Sequence, residues 1–327
     1  MTDVLPYSTI LLINNNKIMN KKLFVAACML LAASCSNDES LDSSVNLSGE
    51  QALAPVTVSV SGFAVSQEEF SGGTTRSGEA RGTTRAATAP ASYSDVKALT
   101  LAFYTSDGAR QVYCFTQLKN DNTTYTTLGS FSLTLPVGSY KMIVLGYNSD
   151  YPVVFNSMTD VVFGEDKSRE TFCYTQDVTI DDETPVDLTA TLNRIVTRLN
   201  VQSSDNRTEA ATKVRISLSK GGRGFNPITG FATSDAGFVN VVTTSTAAGA
   251  TTLSSVNFFI TEEGETMDVT IETLDDEDNV LFSKVVTDVS FRRNRTTKLT
   301  GAMYHFGDAA GAFTLDTEWD SEFNKDF

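Results

Sequence analysis

Apolar and polar residues alternate along most of the chain in short runs. In residues 55–62, Val56, Val58 and Val60 share one face while mostly polar residues occupy the other. A period of two is typical of a β-strand with one buried face. The same alternation predicts further strands at 96–104, 111–117, 130–136, 139–147, 170–175, 185–190, 195–201, 213–218, 237–243, 255–260, 266–273, 280–286, 296–301 and 312–316. In segment 156–162 the pattern instead indicates a brief helical turn.

Turn residues separate these runs, as Pro136, Val137 and Gly138 do between two of the predicted strands. Short strands joined by turns are typical of a β-sandwich or barrel. A chain of 327 residues is long enough for two domains, each with its own core. The sequence therefore predicts an all-β fold with an N-terminal β-sandwich domain at 54–191 and a C-terminal one at 192–327.

The N-terminal region has the features of a secretion signal. Lys21 and Lys22 precede an apolar run at 23–31, and small residues then lead to Cys35. The apolar run is too short to span a bilayer, so it is a signal segment rather than an anchor. A cysteine directly after the small residues makes segment 19–35 a lipoprotein signal, with Cys35 as the lipidated residue.

The whole signal region is placed at 1–35, and translation is expected to begin at Met19. A polar tether follows at 36–53. Its acidic pair, Asp38 and Glu39, resembles the export tag of Bacteroidota surface lipoproteins. The expected location is the cell outer membrane, on its outer surface, with the lipid as the membrane contact.

An unusual loop follows the first predicted strand, which is placed at 55–64. Residues 71–88 are small and flexible in composition, and Arg76, Arg81 and Arg85 recur within them. Extended, accessible backbone is what a protease needs, so each of these arginines is a candidate site for an Arg-specific extracellular protease. A charged linker without processing is the alternative.

Composition argues against several classes of function. The net charge is −15 and no basic stripe is present, which disfavours nucleic acid as a partner. The single histidine, His305, cannot build a histidine-based metal site. The acidic segment 275–279 lacks the glycine and terminal glutamate of a calcium loop, so a hairpin turn is favoured. No catalytic motif is present, and we expect no enzyme, cofactor or metal site.

Two cysteines, Cys114 and Cys173, fall in predicted strands of the first domain. In an exported protein such a pair can form a disulfide. A buried pair of reduced thiols is the alternative, and the sequence leaves both open.

Several segments together resemble the fimbrillin family of Bacteroidales, the type V pilins that are made as outer-membrane lipoproteins. They are the lipid signal ending at Cys35, the strand at 56–62, and the segments at 83–86, 135–140, 192–199, 293–301 and 316–320. The resemblance implies two transthyretin-like sandwiches in tandem. It also implies proteolysis in the arginine loop, with Arg85 as the first candidate site, and release of strand 55–64.

A donor strand from another fimbrial subunit would then fill the vacancy, and the subunits would form an adhesive fimbrium. Segment 312–316 is a candidate donor, but a tip or accessory subunit without a donor fits as well. A host or bacterial surface receptor is implied but not identified. The alternative function is a monomeric surface lipoprotein that binds glycans or nutrients.

Overall fold

The computed structural model describes residues 52–64, 89–120, 125–164 and 167–305, together with the backbone of 314–316. These ranges contain nineteen β-strands and a single 3-10 turn at Pro90–Ser92, so the all-β prediction is confirmed. The strands are β1 (Leu53–Ala64), β2 (Ala98–Thr105), β3 (Gln111–Leu118), β4 (Ser130–Pro136), β5 (Gly138–Tyr147), β6 (Val153–Ser157), β7 (Asp160–Phe163), β8 (Thr171–Ile180), β9 (Val186–Arg194), β10 (Thr197–Ser203), β11 (Lys213–Leu218), β12 (Phe225–Asn226), β13 (Phe231–Ala232), β14 (Phe238–Thr243), β15 (Leu253–Phe258), β16 (Thr266–Leu274), β17 (Val280–Ser290), β18 (Thr296–Gly301) and β19 (Thr314–Asp316).

Seven strands form the first sandwich, in the order β3-β2-β5-β8-β9-β1-β4. Strands β8 and β9 meet at two residue pairs, Phe172 with Arg194 and Cys173 with Asn193. This short junction divides the sheet into two layers, β3-β2-β5-β8 and β9-β1-β4. One core cluster contains side chains from both layers, including Val56, Val58, Leu99, Leu101, Met142, Val144 and Leu192.

The second half contains two four-stranded sheets, ordered β15-β10-β18-β19 and β14-β11-β16-β17. Alternate residues of β11 and β15 are buried, whereas β14 alternates between half-buried and exposed residues. Their inward faces form a second core cluster that includes Leu199, Val201, Ile216, Val256, Phe258, Ile271 and Leu299. Two facing sheets with a shared apolar core are the arrangement of a β-sandwich.

A small fourth sheet, ordered β13-β12-β7-β6, combines strands from both halves of the chain. Phe225 of β12 pairs with Val161 of β7. The helical turn predicted at 156–162 is therefore wrong, because β6 and β7 form an antiparallel hairpin there. The reason is that Val153 and Phe155, and then Val161 and Phe163, are buried with a period of two.

The third core cluster contains residues from both halves, including Ala102, Ile143, Tyr147, Phe163, Phe225 and Phe259. The domain division at residue 192 stays a prediction; Leu192 itself lies in β9. Within the described ranges there is no helix long and apolar enough to cross a membrane.

Candidate functional site

The first strand, β1, lies in the middle of one layer of the first sandwich. It runs parallel to β9 on one side and antiparallel to β4 on the other, so that Val58 lies opposite both Leu188 and Phe131. Among the described strands, β4 lies at the edge of the sheet and pairs with β1 alone. Without β1, the ladder groups of β4 and one ladder edge of β9 would therefore have no partner strand.

The side chains of β1 alternate between core and solvent. The inward-facing residues are almost fully buried, and they are Ala54, Val56, Val58, Val60 and Phe63. The residues between them include Leu53, Pro55 and Ser59, which are exposed. β1 is thus held by one complete apolar face and by ladder hydrogen bonds on both sides.

A β-bulge changes the spacing near the end of β1. Val60 lies opposite Ala190 and Gly62 lies opposite Thr191, so Ser61 is an extra residue. The Ser61 hydroxyl donates a hydrogen bond to the carbonyl of Ala190 at 3.1 Å. Gly62 has a φ of 155°, which residues with a side chain rarely adopt. The bulge turns Phe63 toward the core, three positions after Val60.

Phe63 enters an aromatic pocket in the core. Its ring centroid lies 5.1 Å from that of Tyr93 and 4.8 Å from that of Phe172. Beneath the ring is Gly146 of β5, where an added Cβ would lie only 2.7 Å from Phe63 Cε1. The absence of a side chain at position 146 thus makes room for the ring.

A buried polar network adjoins this pocket. Arg194 Nη2 donates to Glu170 Oε1 at 2.6 Å and to the Tyr93 hydroxyl at 2.7 Å. The Tyr93 hydroxyl in turn donates to Glu170 Oε1 at 3.2 Å. The side chains of Arg194 and Glu170 are 6% and 4% exposed, so both charges are removed from water. Burial, partly opposed by the adjacent Arg194, raises the pKa of Tyr93 to about 12.

The network extends into the second half of the chain. Arg198 Nη2 donates to Glu170 Oε2 at 3.3 Å, and its Nε donates to Asn257 Oδ1 at 2.9 Å. Arg194 Nη1 donates to Asn294 Oδ1 at 3.1 Å. The segments 192–199 and 293–301, which contribute to the family resemblance, therefore meet where Arg194 contacts Asn294, beside Glu170. Sequence reasoning missed this cluster, although two arginines among apolar residues were a signal that a buried carboxylate was required.

Residues 73–326 match the profile of a protein family described as "Family of unknown function (DUF6562)". The chain belongs to this family. No curated protein matches the sequence.

Several solved structures are similar to the chain at low identity. The fimbrial anchor protein Mfa2 from Porphyromonas gingivalis aligns with a TM-score of 0.47 and 10% identity, over 82% of this chain and 98% of that chain. A candidate adhesin from Bacteroides ovatus aligns with a TM-score of 0.45 and 12% identity, over 79% and 88%. The C-terminally truncated tip fimbrial protein Mfa3 from Porphyromonas gingivalis gives 0.38 and 10%, over 80% and 99%.

The predicted lipidation and processing residues fall outside the part of this DUF6562 family member that the structure describes. They are Cys35, Arg76, Arg81 and Arg85. Their roles stay predictions. The predicted removable strand at 55–64 is described, and it lies within β1, which begins two residues earlier at Leu53.

The structure does not contain the possible disulfide between Cys114 and Cys173, because Cys173 is a free, buried thiol. Cys114 lies in β3 and Cys173 in β8, with β2 and β5 between them. Three strand spacings separate the two residues by roughly 14 Å. A disulfide needs Cα atoms within about 7 Å, so the strand order excludes this bridge. Cys173 Sγ instead donates to the carbonyl of Pro227 at 3.3 Å.

We expect Cys173 to be unreactive in the folded protein. Burial raises the pKa of its thiol to about 12, and only the thiolate is nucleophilic. A maleimide at pH 8 should therefore leave Cys173 unmodified until denaturant is added, as peptide mass spectrometry would detect. Rapid labelling in the absence of denaturant would contradict the structure at this position.

The acidic segment 275–279 forms the turn between β16 and β17. The Asp275 carboxylate accepts hydrogen bonds from the backbone N–H groups of Glu277 and Asn279, each at 2.9 Å. The Asn279 side-chain amide also donates to Asp275, and together these contacts lower the pKa of Asp275. Across the described ranges, no group of three or more histidine, cysteine, aspartate or glutamate residues is arranged to hold a metal ion.

Proposed function

We propose that this chain is the precursor of a fimbrial subunit that matures by proteolysis and polymerises by donor-strand exchange. Cys35 would carry the lipid that anchors the precursor at the outer membrane. An Arg-specific protease would cut after Arg85, Arg81 or Arg76. The observation that most directly supports this proposal is the position of β1. This strand lies in the middle of a sheet layer, yet it precedes the arginine loop in the chain.

The proposal follows from how β1 is connected. Residues 65–88 are the covalent link between β1 and all later strands, and they contain the three arginines. A cut in this segment removes the peptide link between β1 and all later strands. Departure of β1 would expose unpaired N–H and C=O groups on β4 and β9 beside an apolar groove.

A strand from another subunit would restore the lost ladder by β-augmentation. Donor and groove are different surfaces of one chain, so the contact is head-to-tail and generates a filament instead of a closed dimer. The partners in this scheme are other fimbrial subunits and the protease. Adhesion would then follow from display of the filament, through a receptor that the described residues do not identify.

The glycan-binding alternative needs exposed aromatic side chains on which a sugar ring can stack. Among the described residues, Tyr151 is the aromatic residue that is most clearly exposed, at 62%. In the part of the chain that the structure describes, one exposed ring offers no extended platform, so these residues supply no observation that favours this alternative.

The test is proteolysis of the purified precursor with an Arg-specific protease, followed by N-terminal sequencing and size measurement. We expect a stable fragment that begins at Ser77, Gly82 or Ala86 and that forms oligomers. The matched control replaces Arg76, Arg81 and Arg85 together by lysine, which keeps the charge and removes the cleavage sites; it should stay intact and monomeric. Cleavage in the loop with β1 still bound and no oligomer would refute the proposal.

A further inference from the structure

The geometry points to the pocket of Phe63 as the element that selects the incoming strand. This inference rests on the proposed function, because it concerns the groove that β1 would vacate. We call the site formed by Tyr93, Leu99, Gly146, Phe172 and Leu192 the Phe63 pocket. The strand that replaces β1 must place an aromatic side chain there, directly after a glycine.

The Phe63 pocket is built to receive a ring. Tyr93 and Phe172 form two of its walls, and their own centroids are 5.3 Å apart in an edge-to-face arrangement. A Cβ built on Gly146 would lie 3.2 Å from a methyl carbon of Leu99 and 3.3 Å from one of Leu192. These two leucines therefore close the floor around Gly146. A smaller side chain than Phe would leave a cavity between five rigidly packed neighbours.

The other inward positions of β1 are less selective for the side chain of an incoming strand. They carry Ala54, Val56, Val58 and Val60, which are short aliphatic side chains at every second residue. Many β-strands contain such a pattern, so these positions distinguish poorly between donor strands. The single large side chain on the buried face of β1 is Phe63, and it is 1% exposed. Selectivity is therefore concentrated at this position.

The bulge adds a second requirement. With strict alternation, the inward residue after Val60 would be Gly62. The extra residue at Ser61 moves the inward position to Phe63, and Gly62 takes up the unusual backbone conformation at the bulge. An incoming strand needs the same β-bulge, with an extra residue followed by glycine, to place a side chain in the Phe63 pocket. The partner is thus a strand of another subunit with alternating short aliphatic residues, followed by glycine and then an aromatic residue.

The experiment uses the full chain after cleavage in the arginine loop and removal of the released segment, diluted until size measurement shows the monomer with an unfilled groove. A fluorescent synthetic peptide of residues 53–64 is the probe, and its dissociation constant is measured by anisotropy. Phe63→Ala in the peptide should weaken binding by about 100-fold, since loss of a buried phenyl ring leaves a cavity. The matched control is Leu53→Ala, because Leu53 is 53% exposed; its effect should stay within about 3-fold.

A variant of the groove provides an independent measurement. Gly146→Ala introduces a methyl group where the ring of Phe63 lies, so the native peptide should bind about 10-fold more weakly. A Phe63→Leu peptide should lose less affinity on the same change, so the preference for phenylalanine over leucine should fall. If Gly146→Ala does not fold, the peptide comparison on the unaltered groove still decides the question.

The outcomes separate the two proposals. If the native peptide does not bind the processed protein, the groove does not accept strands and the proposed function fails. If the native peptide binds and the Phe63→Ala peptide binds equally well, strand exchange stands but the selectivity of the Phe63 pocket is refuted.

Discussion

Replacement of Glu170 by alanine is expected to lower the free energy of unfolding by about 3–5 kcal/mol. Glu170 is 4% exposed and accepts hydrogen bonds from Arg194, Arg198 and Tyr93. Its removal takes away the carboxylate that Arg194 and Arg198 contact, so the desolvation of the buried Arg194 guanidinium is compensated less well. Urea denaturation, followed by the fluorescence or circular dichroism of the folded chain, measures the difference.

The control for this prediction is an ion pair at the surface. Lys97 Nζ and Asp150 Oδ2 are 2.9 Å apart, and their side chains are 42% and 60% exposed. Asp150→Ala should change the stability by less than about 1 kcal/mol, because water already screens both charges. If both variants lowered the free energy of unfolding equally, burial of the Glu170 network would not make it more stabilising than a surface ion pair.

Introduction of a charge into the buried face of β1 should have a comparable effect. Val58 is completely buried between β4 and β9, so Val58→Asp places a carboxylate in an apolar core. We expect a loss of at least about 4 kcal/mol at neutral pH, from the lost apolar contacts and the desolvated charge. The neighbouring exposed position supplies the matched control, since Ser59→Asp should cost little.

The pH dependence makes this prediction sharper. Burial would raise the pKa of the new carboxyl group at position 58 above its value in the unfolded chain. The folded state then binds the proton more tightly, so the stability of Val58→Asp relative to Ser59→Asp should increase as the pH falls from 7 to 4. Urea midpoints of the two variants at both pH values measure this difference. A constant or opposite difference would mean that Val58 is not enclosed as the structure places it.

Most strands could be predicted from the sequence because the period of two is a local property. The bounds of β4, β11 and β18 agree with the predicted runs residue for residue. The hairpin of β6 and β7 was missed because its strands have five and four residues, too few for a clear period. The strands β12 and β13, of two residues each, have no sequence pattern of their own and exist only through pairing.

The candidate site could be predicted only in part. Alternating valines were enough to identify the first strand, but its pairing with β9 involves residues about 130 positions later in the chain. The two cysteines were correctly placed in strands, yet the order β3-β2-β5-β8 separates them. Spacing along the chain carries no information on such distances, because any two strands can be neighbours in a sheet.

By itself, the sequence determined the all-β character of this protein, the extent of most strands and the buried face of β1, since each depends on neighbouring residues. It also defined the arginine-containing connection between β1 and the rest of the chain. Tertiary structure alone decided that β1 lies between β4 and β9, that Phe63 rests on Gly146, and that Glu170 binds two arginines. These features depend on which distant segments pack together, and that is settled by burial of the whole apolar surface rather than by any single segment.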